Sequence, residues 1–331
     1  MSKIYNWGYI GLGWIAEHTI SAFSHAENAR VYAAASKTPG NAKDFAKRHG
    51  IPKAYTSYED IVNDPDVDII YICTPVCSHR EAAELCMSHG KHVICEKPLA
   101  MTEADARAIL AAQEKYGVFC MEAMWTRFIP AIRKLEDMLK AEVLGEIRLV
   151  QADYAIYWPY DPDYHLYRLD MGGSTMLDQG IYPLTFACLA YQGYPTRSTG
   201  LANLRGGVDM RSGSILGFEN GGIAAITTGA DIQSGWDAVI YGEKGSIRVP
   251  EFYHPQVLEI KYHHAEETEK IEIPYEDSGY QFEMMEVMQC IEQGRMQSNI
   301  MPLETSIRLT QVMDGLRRQW GVIYPSEEAV Q

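Results

Sequence analysis

No stretch of this sequence approaches the roughly 18–20 consecutive apolar residues that a membrane-crossing helix needs. A run of Lys and Arg is missing too. The chain has 29 basic and 44 acidic residues, a formal charge of −15. A surface so acidic repels phosphate polyanions, so neither nucleic acid nor an anionic membrane is an expected partner. Any anionic ligand has to be held by a few well-placed groups. The first residues lack the charged-then-apolar pattern of a secretory leader. Cysteine is sparse and odd in number: seven, at 73, 77, 86, 95, 120, 188 and 290, without a Cys-x-x-Cys pair or a Cys/His zinc spacing. Reduced, mostly buried thiols and a cytoplasmic location are therefore expected. No metal site is expected either, because adjacent His263 and His264 would face opposite sides of a strand.

What is present fits a folded protein, with 47% apolar and 22% charged residues. A length of 331 residues suggests about two domains. Up to Met121 the pattern alternates. Short apolar runs at Trp7–Ile10, Val31–Ala35, Ile69–Cys73, His92–Cys95 and Val118–Met121 are separated by helical periodicity over Trp14–Ser24, Asn41–His49, His79–His89 and Thr102–Tyr116. Such alternation predicts a parallel sheet with right-handed crossovers. Gly50, Gly90 and Gly117 stand where helices should stop, and Thr102-Glu-Ala-Asp105 where one should start. One more helix, Pro130–Glu142, precedes a strand-rich region. A strand is expected over Ile147–Tyr157. Hairpins are expected around 219–222, around 242–245 and between Val257–His263 and Lys270–Ile273, with helices returning at Gln281–Gln293 and Leu303–Gln319. The expected architecture is α/β. A nucleotide-binding domain spans 1–123, and a substrate-binding and oligomerisation domain on a mainly antiparallel sheet spans 124–331. Alternation such as Ala224-Ala225-Ile226 leaves apolar groups on both faces of that sheet. A partner subunit or the C-terminal helices must cover the outer one.

Gly11-Leu12-Gly13-Trp14-Ile15-Ala16 sits where the first strand turns into the first helix. That is the context of a dinucleotide fingerprint. Gly11 permits the tight turn, Gly13 the approach of a pyrophosphate, and Ala16 close helix–strand packing. Unpaired N–H groups at the helix start would hold the phosphates. The second strand ends in Ser36-Lys37-Thr38, and no acid lies between Val31 and Lys43. NAD binders place an acid there for the ribose, whereas Lys37 with the two hydroxyls suits a 2′-phosphate. NADP(H) is the expected cofactor, with NAD(H) left open, and Lys37 as a solvated turn residue is the plain alternative.

Two further elements suggest a reaction. Cys95-Glu96-Lys97-Pro98 follows a strand of the same sheet, and ligands bind beyond the carboxyl ends of such strands. Lys97 can therefore point at substrate, or simply pair with Glu96. In Gly172-Gly-Ser-Thr-Met-Leu-Asp178-Gln-Gly-Ile-Tyr182-Pro, Asp178 and Tyr182 are four apart and share a face if the segment is helical. Glycines 172 and 173 would leave room for a ligand. Tyr182 can exchange a proton with a substrate hydroxyl, or serve as a structural tyrosine.

With the fingerprint, these motifs resemble the glucose–fructose oxidoreductase / inositol dehydrogenase / rhizopine-catabolism (Gfo/Idh/MocA) family, over nearly the whole chain. The most specific stretch is Thr74-Pro75 with His79, then Gly90-Lys-His-Val-Ile-Cys-Glu96-Lys97-Pro98. Glu122-Ala-Met-Trp125-Thr-Arg127-Phe128 and Tyr182 are similar to the dimeric dihydrodiol dehydrogenase and NADP-dependent D-xylose dehydrogenase branch. The resemblance implies a Rossmann domain, a second domain with a large open sheet, a nicotinamide between them, and homodimers or larger oligomers through the sheet. It implies Lys97 and Tyr182 as the catalytic pair with Asp178 in support. Thr74, Pro75, His79, Glu96, Trp125 and Arg127 would lie along the cofactor, and Tyr154, Tyr157 and Arg168 along the substrate. Val76 and Ser174 depart from the family pattern, where many members have asparagine and glycine. The expected activity is NADP(H)-dependent oxidoreduction of a sugar or related polyhydroxylated molecule. A trans-dihydrodiol dehydrogenase and a non-catalytic NADP(H)-binding regulator are the alternatives.

Overall fold

The computed structural model describes residues 3–328, which form two compact units. One unit runs to Phe128 and takes in Glu276–Ile307; the other is Ile129–Tyr275 with the chain from Arg308 onward. This differs from a single cut near residue 123. The helix over Gln281–Glu292 buries Met284, Val287 and Met288, and Leu303 and Ile307 join the apolar core of the first unit.

In the first unit the chain runs β1 (Tyr5–Ile10), α1 (Trp14–Thr19), β2 (Ala29–Ala35), α2 (Asn41–His49), β3 (Lys53–Tyr55), α3 (Tyr58–Asn63), β4 (Ile69–Ile72), α4 (His79–Ser88), β5 (His92–Glu96), α5 (Glu103–Tyr116) and β6 (Cys120–Ala123). The strands lie in the order β3-β2-β1-β4-β5-β6, all parallel. That is the doubly wound order, with its topological switch point between β1 and β4. Helices cover both faces, which is why the strands read as unbroken apolar runs; all four residues of β4 are fully buried. Thr102 caps α5, its hydroxyl accepting the Asp105 N–H at 3.2 Å. Gly50 and Gly117 end α2 and α5 in the left-handed conformation.

Three local expectations are corrected. The first helix stops at Thr19, and Ile20–His25 continues as a tighter 3₁₀ turn. β6 begins at Cys120, not Val118. β3 and α3 carried no apolar pattern. Polar contacts hold β3 at the sheet edge instead: Asp64 accepts from Lys53 at 2.9 Å and from Tyr55 at 2.7 Å.

The second unit holds α6 (Pro130–Lys140), β7 (Ile147–Ala155), α7 (Ile181–Tyr191), β8 (Arg197–Arg205), β9 (Val208–Gly217), β10 (Ile223–Gly229), β11 (Ala238–Gly242), β12 (Gly245–Val249), β13 (Val257–Tyr262) and β14 (Glu269–Glu272). Its sheet has eight strands in the order β14-β13-β12-β11-β7-β10-β9-β8, antiparallel except for the β10–β7 pair. All three expected hairpins form. β8 was not legible, because it is an edge strand whose few apolar residues include the exposed Leu201. The helices that follow are α8 (Gln281–Glu292), α9 (Leu303–Gln319) and α10 (Pro325–Glu328).

α7 packs against β7 and β10 and is buried from Ile181 through Ala190. On the other face of the sheet, Tyr241, Leu149 and Ile223 lie side by side across β11, β7 and β10. Ile215 and Leu201 extend this apolar strip over β9 and β8. Leu201 is 85% exposed and Ile215 47%.

Candidate active site

At the end of β1, Gly11 adopts φ +85°, and a Cβ there would stand 2.6 Å from the backbone of Cys73 and Thr74 at the end of β4. Only glycine fits, and the contact spans the switch point itself. Gly13 is the N-cap of α1, with nothing within 4 Å of an added Cβ. Ala16 is fully buried, Leu12 buried and Trp14 60% exposed, while Ile15 is half-buried. The loop thus presents an open backbone cradle at a helix start, which fits a pyrophosphate.

Beyond β2, the buried Ser36 hydroxyl accepts from Thr38 N–H at 3.2 Å and from the Asn41 amide at 3.4 Å, tightening the turn. Lys37 and Thr38 are exposed. The Lys37 ammonium lies 4.6 Å from the centre of the Tyr58 ring, which holds its charge beside this turn.

The loops after β4 and β5 are tied together. Buried His79 bridges two carbonyls, Nε2 to Thr74 O at 2.8 Å and Nδ1 to Pro98 O at 2.9 Å. Burial pushes its pKa down, opposed by those carbonyls. His79 is therefore a strut between the Thr74-Pro75 and Lys97-Pro98 segments. Pro75 is exposed; the buried Thr74 hydroxyl has no partner among the described residues. The Lys97–Pro98 bond is cis. Lys97 is half-buried, and its charge lowers the pKa of both His79 and Glu122. Glu122 accepts the Leu99 N–H at 2.8 Å. Burial pushes its carboxyl up to about 7, with Ser306, Leu99 and Lys97 holding it back. Trp125 is buried and stacks on Tyr280 with ring centres 4.4 Å apart; Arg127 beside it is half-buried.

In the second unit, the segment that carries Asp178 and Tyr182 is helical, but its first turn is wider. Met176–Gly180 is a π-helical turn running directly into α7. Pro183 explains this: it has no N–H for the Gln179 carbonyl, and its ring crowds the preceding turn. Gln179 leaves its own helix to pair with Ile156, accepting the N–H at 2.9 Å and donating to the carbonyl at 3.3 Å. Buried Asp209 on β9 accepts the Met176 N–H at 2.7 Å, and burial pushes its carboxyl up to about 6. Glycines 172 and 173 each have a backbone reason to be glycine. Gly172 is left-handed at φ +78°, and a Cβ on Gly173 would meet the Arg168 and Leu166 backbone at 2.7 Å. Asp178 is half-buried, the one such residue between Gly172 and Ala190.

Tyr182 is buried in an aromatic cluster. Its ring centre is 4.7 Å from Tyr154 on β7 and 6.2 Å from Tyr253. Tyr253 is 5.5 Å from Trp236, whose indole donates to the Ala155 carbonyl at 2.9 Å. Burial and Glu251 push the Tyr253 hydroxyl up to about 12, and burial does the same to Tyr275. Of the looser candidates, Tyr154 is in the cluster. Tyr157 is 57% exposed. Arg168 pairs with Asp170, with Nε to Oδ1 at 3.1 Å. Loop 161–170 folds into two short turns around Leu166 and Tyr167, packed on Met210 and Ala230. Trp236, Tyr253, Asp209, Gln179 and Tyr280 were not expected. Gln179 lies inside the Asp178–Tyr182 motif itself, and the others come from distant segments with no motif of their own.

Comparison with known proteins follows this division. An oxidoreductase family described by its NAD-binding Rossmann fold matches residues 5–124, and the GFO/IDH/MocA C-terminal domain matches 132–248. The chain belongs to the Gfo/Idh/MocA oxidoreductase family. The trans-1,2-dihydrobenzene-1,2-diol dehydrogenase of Xenopus laevis is 32% identical over 338 residues, covering 96% of this chain and 99% of that protein. The aldose-aldose oxidoreductase of Caulobacter crescentus, solved with glycerol, superposes with a TM-score of 0.87 at 25% identity, covering 96% of this chain and 97% of that one. A 3-ketoreductase of Actinomadura kijaniata, solved with NADP and TDP-benzene, gives 0.84 at 25% identity, covering 95% and 97%. The protein is thus an oxidoreductase with a NAD(P)-binding Rossmann domain. Among the described residues no group of three or more His, Cys, Asp or Glu is placed to hold a metal ion. No described helix is long and apolar enough to cross a membrane.

Proposed function

We propose that the protein is an NADP(H)-dependent dehydrogenase or reductase of small polyhydroxylated substrates, a sugar or keto-sugar first. The observation that carries the reading is the intact fingerprint cradle at Gly11 and Gly13 in a chain similar from end to end to named dehydrogenases. Gly11, Leu12, Gly13, Trp14, Ile15 and Ala16 would hold the pyrophosphate, and Ser36, Lys37 and Thr38 the 2′-phosphate. When bound, the nicotinamide supplies or accepts the hydride. In reduction Tyr182 gives its phenolic proton to the substrate oxygen, and in oxidation it takes the proton back. Lys97 donates a hydrogen bond to the same oxygen and stabilises the tyrosinate; Asp178 supports the pair. Thr74, Pro75, Glu96, Trp125 and Arg127 line the cofactor, with His79 acting through the loops it joins. Tyr154, Tyr157 and Arg168 are the substrate-side candidates.

A second reading is a trans-dihydrodiol dehydrogenase. The aromatic surround of Tyr182 favours it, because Tyr154, Tyr253 and Trp236 would pack on a flat apolar ring. Fluorescence titration with NADPH and NADH, followed by sugars and a dihydrodiol at 340 nm, separates the readings. Tight NADPH binding with turnover on an aldose or keto-sugar supports the first, and turnover on the dihydrodiol alone supports the second. Preference for NADH would overturn the cofactor assignment.

Two variants test the roles. Lys37→Ala should weaken NADPH roughly five- to tenfold, the worth of one exposed charge-assisted contact, and leave NADH within about twofold. Equal loss for both would make Lys37 a solvated turn residue. Lys97→Met should lower turnover by roughly 10²-fold, and wild-type turnover would remove the lysine from the mechanism.

The strip of Tyr241, Leu149, Ile223, Ile215 and Leu201 supports a homodimer or larger homo-oligomer through the open sheet. A monomer by light scattering at micromolar concentration would refute it.

A further inference from the structure

Glu283 on α8 is fully buried, and no motif announces it. Its Oε1 lies 2.9 Å from the Tyr71 hydroxyl on β4, and that hydroxyl lies 2.7 Å from Oε1 of buried Glu96 at the end of β5. Two hydrogen-bonding contacts therefore join three oxygens, and each contact needs its own proton. Tyr71 has one. An ionised carboxylate only accepts, so the second proton has to sit on a carboxyl. Glu96 uses its other oxygen to accept the Lys97 N–H at 3.2 Å, which favours its ionised form. The other oxygen of Glu283 is buried without a partner among the described residues, which favours a neutral acid.

We infer that Glu283 is a neutral carboxylic acid that donates to Tyr71, which donates to Glu96, and that this chain positions the backbone of Lys97. The second half of the inference rests on the role given to Lys97 above; the first half does not. Burial and the Glu96 charge both push the Glu283 pKa well up, in the same direction. Other ionisable groups surround the chain. Tyr9 on β1, bonded to Thr19 at 2.9 Å, Cys73 beyond β4 and Cys95 on β5 are all pushed up by burial and stay neutral. α8 also packs on the turn that holds Arg127 and on the turn that ends at His25. No cation can stand inside contacts of 2.7 and 2.9 Å. A nearby positive charge can choose which carboxyl is ionised, but the second proton is still needed.

The test compares Glu283→Gln with the wild type. A carboxyl protonated when folded and ionised when unfolded makes the folded state bind more protons. Wild-type stability therefore falls as pH rises above the ordinary carboxylate range. Glutamine keeps an N–H donor toward Tyr71 and has nothing to ionise. The Tm of Glu283→Gln minus that of the wild type should grow by about 2–4 °C between pH 5 and 8. A constant difference overturns the neutral-acid assignment. So does an infrared difference spectrum at pH 7 in which the glutamine variant loses no protonated-carboxyl band. For positioning, Glu283→Met fills the volume without a donor. It should lower turnover about ten- to a hundredfold with NADPH affinity within about threefold, while Glu283→Gln keeps wild-type turnover. Wild-type turnover in Glu283→Met overturns the positioning role. Wild-type turnover in Lys97→Met would instead remove the Lys97 reading and leave the pH slope and the infrared band as they are.

Discussion

Tyr182→Phe is expected to lower turnover by roughly 10²–10⁴-fold and to leave NADPH affinity near that of the wild type. The substitution isolates one oxygen atom. Phenylalanine keeps the ring that packs 4.7 Å from Tyr154 and 6.2 Å from Tyr253, so the Tm should move little. What is lost is the proton that the reacting oxygen takes or returns. The neighbouring hydroxyl of Tyr253 is a poor replacement, because burial and Glu251 push it up to about 12. An acid–base group works best with a pKa near the working pH. Steady-state turnover with the Tm and the NADPH titration gives the answer. A phenylalanine variant that turns over like the wild type sinks the assignment, and one that loses NADPH affinity in proportion shows a structural role.

Arg317→Ala should destabilise the protein by roughly 3–5 kcal/mol, the cost of leaving a buried charge without its partner. Arg317 on α9 is 1% exposed. It reaches Asp314 at 2.9 Å, the Val322 carbonyl at 3.1 Å and both oxygens of Glu327 at 2.6 and 2.8 Å, and it lies 4.4 Å from the centre of the Tyr324 ring. Asp314, itself buried, would lose its 2.9 Å contact with the guanidinium, and the exposed Arg318 stands farther off at 3.9 Å. Equilibrium denaturation measures the loss, and less than about 1 kcal/mol would mean that the network counts no more than a surface pair. The pH dependence has a definite sign. Arg317 above all holds Glu327 down at about 2, below its ordinary unfolded range of roughly 4.3. Its contribution is present above that range and is lost as pH falls toward 2. The alanine variant should show a smaller acid-sensitive step, because Glu327 keeps only the Tyr324 N–H and Arg318 to hold it down.

The doubly wound sheet was legible because periodicity is local. A parallel sheet covered on both faces needs unbroken apolar strands, and β1, β4 and β5 show them. The fingerprint was legible for a related reason. Gly11 has a left-handed backbone and a Cys73–Thr74 backbone contact that only glycine allows, so one residue type marks the place. β3 and β8 were not legible, since Lys53–Tyr55 and Arg197–Arg205 carry no apolar run that marks a strand. The π-turn before α7 had a local cause in Pro183, and reading the proline would have found it.

The sequence alone determined the cofactor fold, the candidate side chains that a family motif can name, and the absence of an acid after β2. Each depends on residues close together in the chain. Tertiary structure alone decided the surroundings of those groups. Glu283 reaches Tyr71 from 212 residues away, Asp209 takes the Met176 N–H, and Tyr253 and Trp236 gather around Tyr154. It also gave glycine 173 its reason, the neighbouring backbone of Arg168 and Leu166. Burial and pairing depend on which distant segments share a volume, and no spacing along the chain encodes that.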